Sequence, residues 1–167
     1  MAAGLDGIDR KILQLLREDG RMPHATIAKE VGLSAPAVHE RVRKLEQRGI
    51  IAGYHAVIDP ESMGRVHVAF IQVTLADGEE FAIDDPIVAR ICEERDVLEF
   101  HRIAGQDCYL VKARTGTNKD LEQLLRRIRM IHGVSRTRTT MVLSTELEKP
   151  SIEVPLDTPE IEEVRQP

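Results

Sequence analysis

Gly32-Leu33-Ser34-Ala35-Pro36-Ala37-Val38-His39-Glu40-Arg41-Val42-Arg43-Lys44-Leu45 reads as a turn, a cap and a helix with two unlike faces. Gly32 suits the left-handed backbone that ends one helix, and Ser34 offers an oxygen to the free amides of the next. Pro36 falls early enough in that helix that its missing N–H forfeits no hydrogen bond. Val38, Val42 and Leu45 recur at helical spacing as an inward stripe, whereas His39, Arg41, Arg43, Lys44 and Arg48 project elsewhere. A helix divided in this way, read here from Ala35 to Arg48 and ended by Gly49, has one side to bury and another to present.

The preceding residues supply the apolar partners. Leu5 to Glu18 carries Ile8, Ile12, Leu15 and Leu16 on one face, with Asp6 as its cap and Gly20 as a left-handed stop. A second helix from about Pro23 to Val31 buries Ile27, Ala28 and Val31. Three such helices around a Gly-Leu-Ser turn are expected to form a helix-turn-helix, although a plain bundle with a solvated basic face carries the same pattern. In the first reading the start of the third helix enters the major groove of double-stranded DNA. Ser34, Ala35, Pro36 and His39 then touch base edges while Arg41 and Arg43 anchor on phosphate oxygens. Arg21, Ala37 and Lys44 complete the candidate DNA-binding set.

Downstream, Ile50 to Ile58 reads as two short strands around Gly53, forming a wing and linker over residues 50–64, and the turn cluster Asp59 to Gly64 places a domain boundary nearby. A strand is expected over Val66 to Leu75, then a helix from the Asp85-Pro86 cap to about Arg95. Strands Val97 to Ala104 and Cys108 to Arg114 are joined by Gly105-Gln106-Asp107 as a tight hairpin. A helix capped by Asn118 runs to about Ile131, with Gly133 closing it, and a last strand spans Val134 to Thr145. The order from residue 65 to 146 is the ferredoxin-like βαββαβ pattern, which with the winged helix-turn-helix of residues 1–49 makes an α+β chain. Two helices cover one face of a four-stranded sheet, so the other face calls for a second copy and hence a homodimer.

Composition narrows the partners. Hydrophobic residues are 42% and charged residues 31%, enough for packed cores, but aromatics are 3% and Trp is absent. Base stacking of the kind used by single-strand and RNA binders is thereby disfavoured. The net charge of −5 is unevenly placed: residues 1–59 hold nine Lys/Arg against eight Asp/Glu, residues 147–167 two against six. That last stretch, with four prolines and no apolar period, is expected to be an extended or disordered arm. Cys92 and Cys108 form no metal-ligand spacing and read as two buried thiols. His24, His55, His67 and His132 are scattered and receive no role. No long apolar run or export leader is present, so we expect a cytoplasmic protein without membrane association, metal or cofactor.

The ordered series Leu5-Asp6, Asp9, Ile12-Leu13, Gly20-Arg21, Ile27-Ala28, Gly32-Leu33-Ser34, Arg41-Val42, Leu45-Glu46 and Gly49-Ile50 resembles the Lrp/AsnC family, or feast/famine regulatory proteins. The resemblance continues through Asp59-Pro60, Gly64, Gly105, Tyr109-Leu110 and Gly133-Val134 to Arg136-Thr137-Arg138-Thr139 and Val142-Leu143, covering roughly residues 5–146. It implies a DNA-binding domain, a linking region, and an effector domain whose dimers assemble further into tetramers or octamers and respond to amino acids. It also implies an effector site between neighbouring subunits, here Gly105, Gln106, Asp107 and Cys108 with Thr137, Thr139 and His101. Loop amides suit a carboxylate, and Asp107 or a threonine hydroxyl an ammonium group, although Gly-Gln-Asp is also ordinary hairpin chemistry. The chain departs from the pattern at Cys108, acidic in many relatives, and at Pro23, usually a capping serine. A different class, tetrapyrrole-pathway decarboxylases of similar architecture, has a foothold in His101 and Arg102 beside Tyr109.

Overall fold

The computed structural model describes residues 4–76, 86–104, 109–149, 151–152 and 154–155. It divides into two compact units: the chain up to Val57 together with the chain from Glu148 onward, and Ile58–Leu147. The boundary therefore falls just before the turn cluster, and the tail groups with the N-terminal helices.

The N-terminal unit is built from α1 (Gly7–Glu18), α2 (His24–Val31) and α3 (Ala35–Gln47). Ile12, Leu15, Ile27, Ala28, Val38, Val42 and Leu45 form its buried core, each large side chain stabilising it by about 1.5–3 kcal/mol. Asp6 caps α1, accepting from the Asp9 amide at 2.7 Å, and Ser34 caps α3, accepting from the Ala37 amide at 3.3 Å. Gly32 and Gly49 take positive φ, at 69° and 68°. Gly20 does not: α1 ends in extended backbone at Asp19, whose amide bonds the Leu15 carbonyl, so no left-handed residue is needed there. Pro23 precedes α2 without a side-chain cap.

The two strands expected around Gly53 are not formed, since residues 52–59 carry no regular secondary structure. A strand exists only against a partner, and the described chain pairs none with this segment. Its backbone is instead exposed, and Tyr54 reaches back to Glu46, donating its hydroxyl hydrogen at 3.0 Å.

The second unit comprises β1 (His67–Leu75), α4 (Pro86–Cys92), β2 (Val97–Arg102), β3 (Tyr109–Thr115), α5 (Asn118–Arg129) and β4 (Val134–Met141). All pairings are antiparallel, in the order β2-β3-β1-β4, which makes β2 and β4 the edges. Ala69, Ile71, Val73 and Leu75 of β1 and Tyr109, Val111 and Ala113 of β3 alternate toward α4 and α5, meeting Ile87, Ile91, Leu121, Leu124 and Ile128. Thr117, not Asn118, caps α5: its hydroxyl accepts from the Asp120 amide while Asp120 accepts from the Thr117 amide, a reciprocal box that Asn118, one residue later, cannot make. β4 stops at Met141, four residues short of expectation: its register with β1 ends at the Ala69–Met141 pair, followed only by a bond from the Val142 amide to the Val68 carbonyl at 2.9 Å. Cys92 is exposed rather than buried, since α4 turns Ile87 and Ile91 inward. The expected cap at Asp85 and the hairpin Gly105-Gln106-Asp107 lie outside the described residues, as does Cys108.

Candidate nucleic-acid interface and effector edge

α3 is held in place from one flank and presented from the other. On the α1 side, Arg41 donates to both Asp6 and Asp9 at 2.7 Å. This clamp raises the Arg41 pKa, through its bonds first to Asp9 and then to Asp6. Asp6 is held below the usual carboxylate range by the Asp9 amide and by Arg41. Arg41 is thus committed within the unit, where the sequence suggested a phosphate anchor. On the α2 side, Arg21, His24, His39, Arg43, Glu46 and Tyr54 line one shallow depression, and the His24 and His39 rings stand 5.4 Å apart. Burial, and then Glu46, push the Tyr54 phenol up to about 12, so it remains a hydrogen-bond donor at neutral pH.

The crown of α3, opposite its apolar stripe, carries Pro36, Glu40, Arg43 and Lys44. Arg43 grips Glu40 through two bonds of 3.0 and 2.8 Å, and Lys44 lies 3.8 Å from the same carboxylate. These bonds lower the Glu40 pKa, Arg43 being the main cause. Ala35 and Ala37 are half-buried, and Ser34, Pro36 and His39 are exposed. The small side chains leave the first turn open to close approach, with amides that favour phosphate oxygens. Sequence reasoning missed Glu40 and His24. Helical spacing puts Glu40 at the crown, but only the fold brings His24 to His39.

In the second unit the expected effector residues fall on two edges. Thr137 and Thr139 lie on β4 opposite Val73 and Ile71, on the helix-covered face. Arg129 of α5 donates to the Thr137 hydroxyl at 2.7 Å, and among the described residues the buried Thr139 Oγ1 has no hydrogen-bond partner. His101 lies on β2 opposite Leu110, three strand spacings or about 14 Å away and on the other face. There it bonds Glu99 at 3.1 Å, and Glu99 in turn accepts from Lys112 at 2.9 Å. Lys112 and then His101 hold the Glu99 carboxyl below its ordinary value. One chain therefore does not assemble this set. Gly105, Gln106, Asp107 and Cys108 lie outside the described residues. Of the decarboxylase-like trio, Arg102 lies over the Tyr109 ring at 6.0 Å, but Tyr109 is fully buried in the core and His101, the neighbour of Arg102 along β2, points to the opposite face. Among the described residues no group of three or more His, Cys, Asp or Glu could hold a metal, and no helix is long and apolar enough to cross a membrane.

Comparison with known proteins gives the class directly. Residues 5–46 match the AsnC-type helix-turn-helix domain and residues 68–152 the Lrp/AsnC ligand binding domain. The HTH-type transcriptional regulator LrpA of Mycobacterium tuberculosis is 39% identical over 145 residues, 87% of this chain and 94% of that one. The leucine-responsive regulatory protein of Escherichia coli is 34% identical, over 83% of this chain and 85% of its own. Among solved structures, a feast or famine regulatory protein of M. tuberculosis complexed with L-methionine superposes with a TM-score of 0.82 at 37% identity, covering 91% of this chain and all of that one. A transcriptional regulator of Neisseria meningitidis, also complexed with L-methionine, gives 0.82 at 28% identity, covering 92% and 98%. The fold and the open α3 are those of a DNA-binding transcriptional regulator with a ligand-binding domain. The chain belongs to the Lrp/AsnC family.

Proposed function

We propose that this protein is a sequence-specific cytoplasmic regulator whose dimers place two α3 helices in successive major grooves of a pseudo-palindromic site, half-sites about one turn (~34 Å) apart or a multiple of it. The observation that carries this is the capped, small-residue start of α3, exposed while its valine-leucine side is fastened by α1 and α2. Ser34, Ala35, Pro36, Ala37 and His39 face the bases; Arg21, Arg43 and Lys44 meet phosphates. Arg41 contributes chiefly by orienting α3.

The effector is an amino acid, in keeping with the L-methionine bound by two relatives and the leucine response for which another is named. Thr137, Thr139 and the loop 105–108 receive it where two subunits meet, and His101 joins only from a neighbouring copy. The partnerless Thr139 hydroxyl supports a polar ligand there. Dimers form through the uncovered sheet face and assemble further into tetramers or octamers.

Genomic pull-down of bound DNA, with and without a panel of amino acids, tests partner, site and effector together. We expect a small set of two-fold-related sites whose occupancy changes with one or a few amino acids. Recovery of random fragments under every condition defeats the proposal.

A further inference from the structure

Arg10 presents an anomaly that the helix-turn-helix alone does not explain. On α1 it lies opposite the Ile8, Ile12, Leu15 and Leu16 stripe, where a charged side chain meets water, yet it is only 7% exposed. What lies over it is the other end of the chain: Arg10 Nη1 donates to the Pro155 carbonyl at 2.9 Å. Two turns along the same outer face, Arg17 donates to the Ile152 carbonyl at 3.5 Å. Val154, between the two acceptors, is half-buried, while Ile152 is 85% exposed.

Two arginines seven residues apart on a helix stand about 10 Å apart along its axis. Ile152 and Pro155 are three residues apart, a separation that an extended backbone would span over about the same distance, in step with the two arginines. Main-chain carbonyls are the groups engaged, and proline at the end of the segment favours the extended form. The N-terminal family model ends at residue 46 and the ligand-binding one at residue 152, and the M. tuberculosis structure is fully matched by 91% of this chain. Ile152 is the last residue matched by the ligand-binding model, and Pro155 lies beyond it.

From the burial of Arg10 and its pairing with Arg17 on the tail, we infer that the outer face of α1 is a docking surface for an extended peptide backbone, and that its resident is this chain's own tail, engaged through the Ile152 and Pro155 carbonyls, which straps the DNA-binding unit from outside. The acidic C-terminal stretch is therefore anchored at its start. The DNA-binding unit is joined to the second unit by two chain crossings, one at Val57/Ile58 and one at Leu147/Glu148, and a second tether restricts its reorientation.

A nitroxide on Ile152→Cys in a Cys92→Ser, Cys108→Ser background of the full-length oligomer reads the strap directly, because that side chain projects to solvent. We expect a restricted spin-label spectrum, with the correlation time shortened about fivefold or more by Arg10→Ala with Arg17→Ala. A freely tumbling spectrum in the intact chain, or restriction that survives both alanines, overturns the inference. Labelled chains carrying both alanines, mixed into oligomers with unlabelled wild-type chains, must stay mobile; immobilisation there means the tail docks on a neighbour and overturns the intrachain strap. Truncation after Lys149 provides a second variant that leaves both cores untouched. Amides of α1 should then exchange about tenfold faster with those of α5 unchanged, and equal exchange in α1 counts against the strap. On DNA the truncated protein should accept a wider range of half-site spacings. That arm rests on the DNA-binding reading: an intact protein that binds no DNA sinks that reading alone, whereas binding with identical spacing tolerance sinks the restriction by the tether.

Discussion

Arg41 and Arg43 are two residues apart on α3 and act in opposite directions, one toward α1 and the other toward solvent. Replacing Arg41 by Ala removes the guanidinium shared by Asp6 and Asp9, of which Asp9 has the less exposed side chain. After allowing for the solvent that reaches Arg41, the expected cost is about 1–2 kcal/mol, measured by urea denaturation. DNA binding at low temperature, where the variant remains folded, should persist. In the proposed DNA complex Glu40 faces the incoming polyanion, and among base edges a carboxylate finds its donor in the cytosine amino group. Glu40→Gln releases Arg43 and removes that repulsion. We expect affinity for random DNA to rise several-fold, the slope of log K against log salt to steepen by about one, and cytosine preference at one half-site position to fall. Fluorescence anisotropy across salt, followed by selection from a random pool, measures all three.

Helix ends carry the clearest element-scale consequences. Asp6 caps α1 as a carboxylate and its folded pKa lies below the ordinary 3.8. A depressed carboxyl stabilises the fold fully above its unfolded value and ceases to do so as pH falls through the folded one. The contribution is therefore intact above about pH 5 and lost progressively below 3.8. Asp6→Asn keeps a capping oxygen but removes the charge, so its stability profile should be flatter than wild type in this acid range, as followed by circular dichroism. At α5, Thr117→Ala breaks the reciprocal box with Asp120 and should cost about 1 kcal/mol, whereas Asn118→Ala, outside the box, should cost little. The reading of Asn118 as the cap followed residue preference alone. Two adjacent residues that both favour a cap are told apart only by which backbone takes the extended turn, and that depends on where β3 delivers the chain.

At the scale of the molecule the sheet has one closed face and one open one. Phe70, Gln72 and Thr74 of β1, Leu110 and Lys112 of β3, and Arg136, Arg138 and Thr140 of β4 share the face away from α4 and α5. Half-buried Phe70 and Leu110 sit near its centre among charges, the distribution of an interface core inside a polar rim. Leu110→Glu should weaken dimer association at least ~100-fold without loss of secondary structure, as read by light scattering across dilution. An unaltered dimer would place the subunit contact elsewhere. Where the effector set is completed across copies, that variant should also lose its thermal shift with the bound amino acid.

Local order was legible in the residues. The two-faced α3, its Ser34 cap, the Gly32 turn, the periods of α5 and β1 and the βαββαβ order all follow from short-range stereochemistry and from which side chains avoid water, both of which act within a few residues. Tertiary structure alone decided what depends on residues distant in sequence. It bound Arg41, read from the sequence as a phosphate anchor, to Asp6 and Asp9 at the start of α1, left residues 52–59 without strands because no backbone in the described chain pairs with them, set His101 and the Thr137–Thr139 pair on opposite sheet edges, and laid part of the tail along Arg10 and Arg17. A side chain's period shows that it faces away from its own core; whether solvent, a carboxylate or another part of the chain meets it there is fixed only when the elements pack.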